Sequence, residues 1–91
     1  QVALDLSGRS YLDFNVPMPS ETVGTFSTEL VEEFFRAVVN HSEMTLHIDL
    51  LKGTNTHHII EAVFKCFARA LSEAISFEPR MEGVWSSKGR L

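Results

Sequence analysis

The sequence predicts an α/β fold, a two-layer β-β-α-β-α sandwich that residues 1–91 form as a single domain. Three stretches alternate between apolar and polar residues, as strands do, and two longer stretches repeat apolar residues at helical spacing. With 44% hydrophobic and 22% charged residues, the composition is that of a globular domain. The economical arrangement is therefore one sheet with both helices on the same face.

Residues 2–6 and 11–16 alternate and predict two strands. Between them, residues 7–10 form a turn signal in which Gly8 can adopt a positive φ. We therefore expect these two strands to pair as a hairpin. Residues 17–24, with two prolines and a glycine, predict a loop.

A helix is expected from about Ser27, a plausible N-cap, to Asn40 or His41. A third strand follows, with Leu46 and Ile48 on one face and His47 on the other. The first helix carries its apolar stripe at Leu30, Val31, Phe34, Phe35, Val38 and Val39.

The second helix, predicted for residues 56–75, gathers chemically active side chains on one side. His57, His58, Glu61 and Lys65 fall within about 100° of the helical projection. The opposite side is apolar and predicts the core. The apolar set is Ile60, Val63, Phe64, Phe67, Ala70, Leu71 and Ala74.

This grouping supports two interpretations. His57 and Glu61 are one turn apart, so both can reach one ion, and His47 could join from the neighbouring strand. Imidazole and carboxylate together suit manganese, iron or zinc. Alternatively, the histidines belong to a solvated first turn and Glu61 forms an ion pair with Lys65.

Charge and cysteine content exclude several classes of protein. The net charge is −4 and the eight Lys and Arg residues are scattered, so no nucleic-acid partner is expected. No apolar run is long enough for a membrane span. The lone Cys66 cannot form an internal disulfide and fits a reducing compartment.

Near the C-terminus, Ser86 and Lys88 could hold a phosphate or belong to a solvated terminus.

Four segments together resemble a known family. They are Asp-Leu-Ser-Gly-Arg at 5–9, Thr-Leu-His at 45–47, Asn-Thr-His-His-Ile-Ile-Glu-Ala-Val-Phe-Lys at 55–65 and Ser-Ser-Lys-Gly at 86–89. As an ordered set they resemble the C-terminal half of imidazoleglycerol-phosphate dehydratase, an enzyme of histidine biosynthesis. The resemblance implies a ribosomal protein S5 domain 2-like fold.

The resemblance also implies a function. Members of this family contain two similar halves, each with a His-His-x-x-Glu helix, and assemble into symmetric oligomers. They convert imidazole glycerol phosphate to imidazole acetol phosphate with two Mn²⁺ ions, whose ligands come from both halves and from neighbouring subunits. The chain is then expected to be a cytoplasmic protein, or a plastid one in a plant. It would work as half of a catalytic unit, completed by further copies or by a first-half domain.

Carried over residue by residue, the resemblance assigns roles to eight positions. Metal ligation falls to His47, His57, His58 and Glu61, of which the last three are also implied to be catalytic. Substrate-phosphate contacts fall to Arg9, Lys65, Ser86 and Lys88. The alternative function is a metal-binding assembly module that folds and oligomerises without turnover.

Overall fold

The computed structural model describes residues 1–76, in which two helices cover one face of a three-stranded sheet. The two-layer α/β prediction is therefore confirmed. The sheet strands are β1 (Val2–Asp5), β2 (Tyr11–Asn15) and β5 (Thr45–Asp49). The helices are α1 (Glu29–Ser42) and α2 (Thr56–Ser76), and a separate small hairpin is formed by β3 (Thr22–Val23) and β4 (Phe26–Ser27).

The strand pairing differs from the predicted hairpin. β5 occupies the centre of the sheet, with β1 antiparallel on one side and β2 parallel on the other. The turn at 7–10 does reverse the chain, but it carries the chain across the end of β5 before β2 begins. The hairpin prediction was wrong because turn residues indicate a reversal without indicating which strand becomes the neighbour.

Burial explains why β5 takes the centre. Leu46 and Ile48 are 0% and 1% exposed, so their strand needs a neighbour on each edge and helices above it. β1 and β2 have no residue buried to that degree, which suits edge positions.

The core between the sheet and the helices is centred on Phe35 of α1, which is fully buried. Its ring lies 6.2 Å from that of Phe14 on β2 and 5.1 Å from that of Phe67 on α2, measured between centroids. This side chain of α1 thus contacts both the sheet and α2, as expected for aromatic pairs in a small core. Ile59 and Val63 complete the inward face of α2.

The start of each helix is tied to the same loop residue. The Thr28 hydroxyl, directly before α1, donates to the carbonyl of Ser20 at 2.9 Å, and the Ser20 amide donates to the Thr56 hydroxyl at 3.1 Å. Both threonines are buried, and these bonds give the hydroxyl oxygen of each a hydrogen-bond partner. Thr28 is the N-cap residue of α1 by position, one residue after the predicted Ser27, and its side chain bonds to Ser20 and not to the helix.

Two further details depart from the sequence expectations. The β3–β4 hairpin begins within the predicted loop and extends past it to Ser27, with its turn at Gly24, whose φ is +62°. The C-terminal end of α1 lies at Ser42, beyond the predicted end, and Glu43 in the left-handed conformation terminates the helix. Among residues 1–76, neither helix is both long and apolar enough to cross a bilayer.

Truncating β5 tests the central position of this strand. We expect Leu46→Ala to lower the free energy of unfolding by about 3 kcal/mol, because it leaves a cavity at a fully buried site. Leu51→Ala is the matched control, since Leu51 is 74% exposed and its truncation should change the value by less than about 0.5 kcal/mol. Urea unfolding measures both, and equal effects would contradict the described core.

Candidate metal and phosphate site

The first turn of α2 is fixed by Asn55, which acts as its N-cap. The Asn55 side-chain oxygen accepts a hydrogen bond from the His58 amide at 3.0 Å, and its backbone carbonyl accepts one from the Ile59 amide at 2.9 Å. Thr56 and Ile59 are buried beneath this turn. Because these two residues face inward, His57 and His58 are directed into solvent.

His57 and Glu61 form a pair of potential metal donors. The Nε2 atom of His57 lies 3.7 Å from Oε2 of Glu61, close to the roughly 3 Å that separates adjacent ligand atoms around one ion. The imidazole and carboxylate therefore fit a divalent transition metal. The ring of His58 lies 5.9 Å from that of His57 and is tilted by 59° from it, which suits a second ion better than the same one.

This pair is incomplete as a metal site. Across residues 1–76, no group of three or more His, Cys, Asp or Glu side chains is arranged to hold one ion. Within the described residues, one chain therefore offers two donors at His57 and Glu61, and an ion held there would need further ligands from another source.

Lys65 follows Glu61 by one helical turn, about 6 Å along the axis, and is exposed. The Glu61 carboxylate lies near His57, and within the described part of the chain it forms no ion pair with Lys65. The ion pair of the solvated-turn interpretation is therefore not formed. The ammonium group of Lys65 remains accessible beside the donor pair.

His47 lies on the opposite side of the molecule from α2. Its neighbours Leu46 and Ile48 face the helices, so alternation directs His47 to the open face of the sheet. There Nδ1 lies 3.5 Å from an oxygen of Asp13, and the ring lies 5.6 Å from that of Tyr11. Within one chain, His47 is therefore not brought together with the helix donors.

Arg9 lies at the far end of the sheet from His57. The loop that carries it crosses the N-terminal end of β5, whereas α2 begins after the C-terminal end of that strand. The strand alone separates the two ends by about 13 Å. Ser86 and Lys88 lie outside the described residues, and His41 is exposed in the last turn of α1.

Sequence reasoning missed the pairing of His47 with Asp13. The two residues are register partners across β5 and β2, but the predicted hairpin placed β2 beside β1 instead. The signal that could have found the pair is the shared alternation of the two strands, which puts both residues on the polar face once the strands are neighbours.

The sequence is similar to those of known proteins. The family model of imidazoleglycerol-phosphate dehydratase matches residues 1–71. The chain belongs to this family. The dehydratase of Syntrophomonas wolfei is 67% identical over 88 residues, which cover 97% of this chain and 45% of the relative. The dehydratase of Microcystis aeruginosa is 60% identical over 92 residues, which cover 100% of this chain and 44% of the relative. The chain thus spans about half the length of the curated relatives it matches.

Solved dehydratase structures share the fold. The crystal structure of the Staphylococcus aureus enzyme matches with a TM-score of 0.76 and 64% identity, covering 77% of this chain and 41% of that one. The Pyrococcus furiosus enzyme matches with a TM-score of 0.63 and 36% identity. The match covers 70% of this chain and 36% of that one. The α/β fold expected from the dehydratase resemblance is therefore confirmed.

Removing one donor tests the metal assignment. We expect Glu61→Ala to weaken Mn²⁺ binding by more than the roughly tenfold to hundredfold cost of losing an outer-shell partner, because a direct ligand disappears. Metal content after dialysis, measured by elemental analysis, gives the result. Glu73→Ala is the matched control, since it removes another exposed carboxylate from α2. If both variants retained the parent's metal content, Glu61 would not be a ligand.

Proposed function

We propose that this chain is half of the catalytic unit of a manganese-dependent imidazoleglycerol-phosphate dehydratase. In histidine biosynthesis it would dehydrate imidazole glycerol phosphate to imidazole acetol phosphate. The observation that carries the proposal is the donor pair His57 and Glu61, on the same helix face as His58 and Lys65, in a chain of this family.

The proposed metal ligands are His57 and Glu61 for one Mn²⁺ ion and His58 for a second. Bound manganese would supply a Lewis acid that polarises the imidazole of the substrate and favours loss of its proton. The Asn55 cap supports this role, because it holds the backbone of the histidine pair in one orientation before any ligand arrives. A ligand role for His47 requires an ion shared with another copy, since it faces away from its own α2.

The substrate phosphate is proposed to contact Lys65 and Arg9. Lys65 would place an ammonium group one turn from Glu61, where it can neutralise an anion without ligating a cation. Arg9 would bind phosphate oxygens through two parallel N–H groups. Ser86 and Lys88, near the C-terminus, are proposed to contribute to the same contact.

The positions of these groups favour a site shared between copies or completed by a first-half domain. His57 and Arg9 lie at opposite ends of the sheet, separated by at least the length of β5, so their contributions to one small substrate are more readily supplied by different chains. The proposed assembly would also supply the missing metal ligands. Its symmetric form would be a homo-oligomer.

The outer side of the helix layer offers a surface for such an assembly. Leu30 and Phe34 are 44% and 47% exposed, and the Phe34 ring lies 5.3 Å from that of Phe64 on α2. Large apolar side chains that lie together at a surface favour burial against a partner. We propose that a second helix layer, from another copy or a first-half domain, covers this patch.

One observation favours the second candidate function, a metal-binding assembly module without turnover. Within residues 1–76, the donors of one chain do not complete a metal site. A chain that only assembles around metal would need those donors but not the substrate contacts at Lys65 and Arg9.

A dehydratase assay distinguishes the two functions. With Mn²⁺ present, we expect the purified chain to consume imidazole glycerol phosphate, alone or mixed with a first-half domain. His57→Ala should reduce the rate by at least about a hundredfold because it removes a ligand. His41→Ala is the matched control and should retain the parent rate, since His41 lies in α1, away from the donor pair.

The contrary result is equally clear. A folded, metal-loaded chain that forms oligomers by light scattering, yet shows no turnover under either condition, would support the assembly module and contradict the enzyme.

A further inference from the structure

The loop that carries Arg9 is held by hydroxyl groups. The Arg9 amide donates to the Ser7 hydroxyl at 3.4 Å, the Ser7 and Thr45 hydroxyls are 3.0 Å apart, and the Thr45 hydroxyl donates to the Arg9 carbonyl at 3.2 Å. Both backbone polar groups of Arg9 are thus bonded to this pair of side chains.

The direction of each bond follows from the available protons. The single proton of the Thr45 hydroxyl is used on the Arg9 carbonyl, so the bond between the two hydroxyls must be donated by Ser7. Ser7 can still accept from the Arg9 amide. The three bonds therefore form a closed ring in which each hydroxyl donates once and accepts once. Such chains of hydrogen bonds reinforce one another.

The topology of the sheet explains why Thr45 occupies this position. Thr45 is the first residue of the central strand, and its register partners are Asp5 at the end of β1 and Tyr11 at the start of β2. The connection between those two strands must therefore pass over Thr45. Gly8 allows the tight path, since its φ is +83°.

This closed ring of hydrogen bonds holds the backbone of Arg9 and leaves its side chain free to bind a ligand. Arg9 is exposed, and within residues 1–76 its guanidinium has no carboxylate at ion-pair distance. A fixed backbone restricts the directions in which the side chain can extend. Less conformational entropy is then lost when the guanidinium binds an anion.

We propose that Thr45 and Ser7 are positioning residues that orient Arg9 toward the phosphate group of the substrate. This inference rests on the proposed function, in which Arg9 contacts that phosphate. Neither hydroxyl needs to touch the substrate, because both act through the Arg9 backbone.

The test measures binding of imidazole glycerol phosphate and of imidazole glycerol, which lacks the phosphate, to the Mn²⁺-loaded protein by calorimetry. Thr45→Val removes the hydroxyl but preserves the side-chain shape and suits a strand. We expect it to weaken binding of the phosphorylated ligand about tenfold, with binding of imidazole glycerol unchanged. Thr45→Ser, which keeps the hydroxyl, should restore the parent affinity. Ser7→Ala should reproduce the loss without altering the strand.

A double variant separates positioning from a general structural effect. In an Arg9→Ala background, Thr45→Val should cause no further loss, because its effect passes through Arg9. The inference would be overturned if Thr45→Val still weakened binding in the Arg9→Ala background. It would also be overturned if Thr45→Val weakened binding of both ligands equally. Full affinity in both Thr45→Val and Ser7→Ala would overturn it as well, provided that Arg9→Ala weakens binding of the phosphorylated ligand. If Arg9→Ala itself has no effect, the proposed phosphate contact fails, and the positioning role fails with it.

Discussion

The structure depends on the burial of the central strand β5. Its inward side chains, Leu46 and Ile48, are removed from water almost completely, which requires a strand on each edge and helices on one face. Because β1 and β2 occupy those edges, their connection must cross the N-terminal end of β5. Since β5 leads directly into α2, the helix must begin near the other end. The same burial that stabilises the domain thus sets where its polar loops and helix termini lie.

This arrangement distributes the proposed site residues over three separate places. The donors His57 and Glu61 lie at the start of α2, Arg9 lies beyond the opposite end of β5, and His47 lies on the open sheet face. Hydrogen bonds hold the backbone at two of these places. The Asn55 cap bonds the first turn of α2, and the hydroxyls of Ser7 and Thr45 bond the backbone of Arg9. Groups held at separate places on one chain are suited to meet across an interface between chains. Assembly would then be a condition of catalysis and not only a source of stability.

The sequence predicted those parts of the fold that follow from local periodicity. The helical projection placed His57, His58, Glu61 and Lys65 on one outward face, and the structure confirms that all four are exposed. Strand pairing is nonlocal, which is why the hairpin prediction failed and the His47–Asp13 pair was missed. The two-residue strands β3 and β4 are too short to produce an alternation signal. The ligands that would complete the metal sites could not be predicted from one chain, since they depend on how copies meet.

Mixing two inactive variants tests the shared site most directly. His57→Ala keeps an intact Arg9, and Arg9→Ala keeps an intact donor pair, so a shared site can be complete only where the two variants meet. In a two-copy assembly, co-refolding equal amounts should restore about a quarter of the parent dehydratase activity, because half of the pairs are mixed and each has one intact site. A mixture of His57→Ala with Glu61→Ala, which damage the same donor pair, should remain inactive. Recovery in the first mixture alone is the predicted result, and no recovery from two variants that still assemble would contradict the shared site.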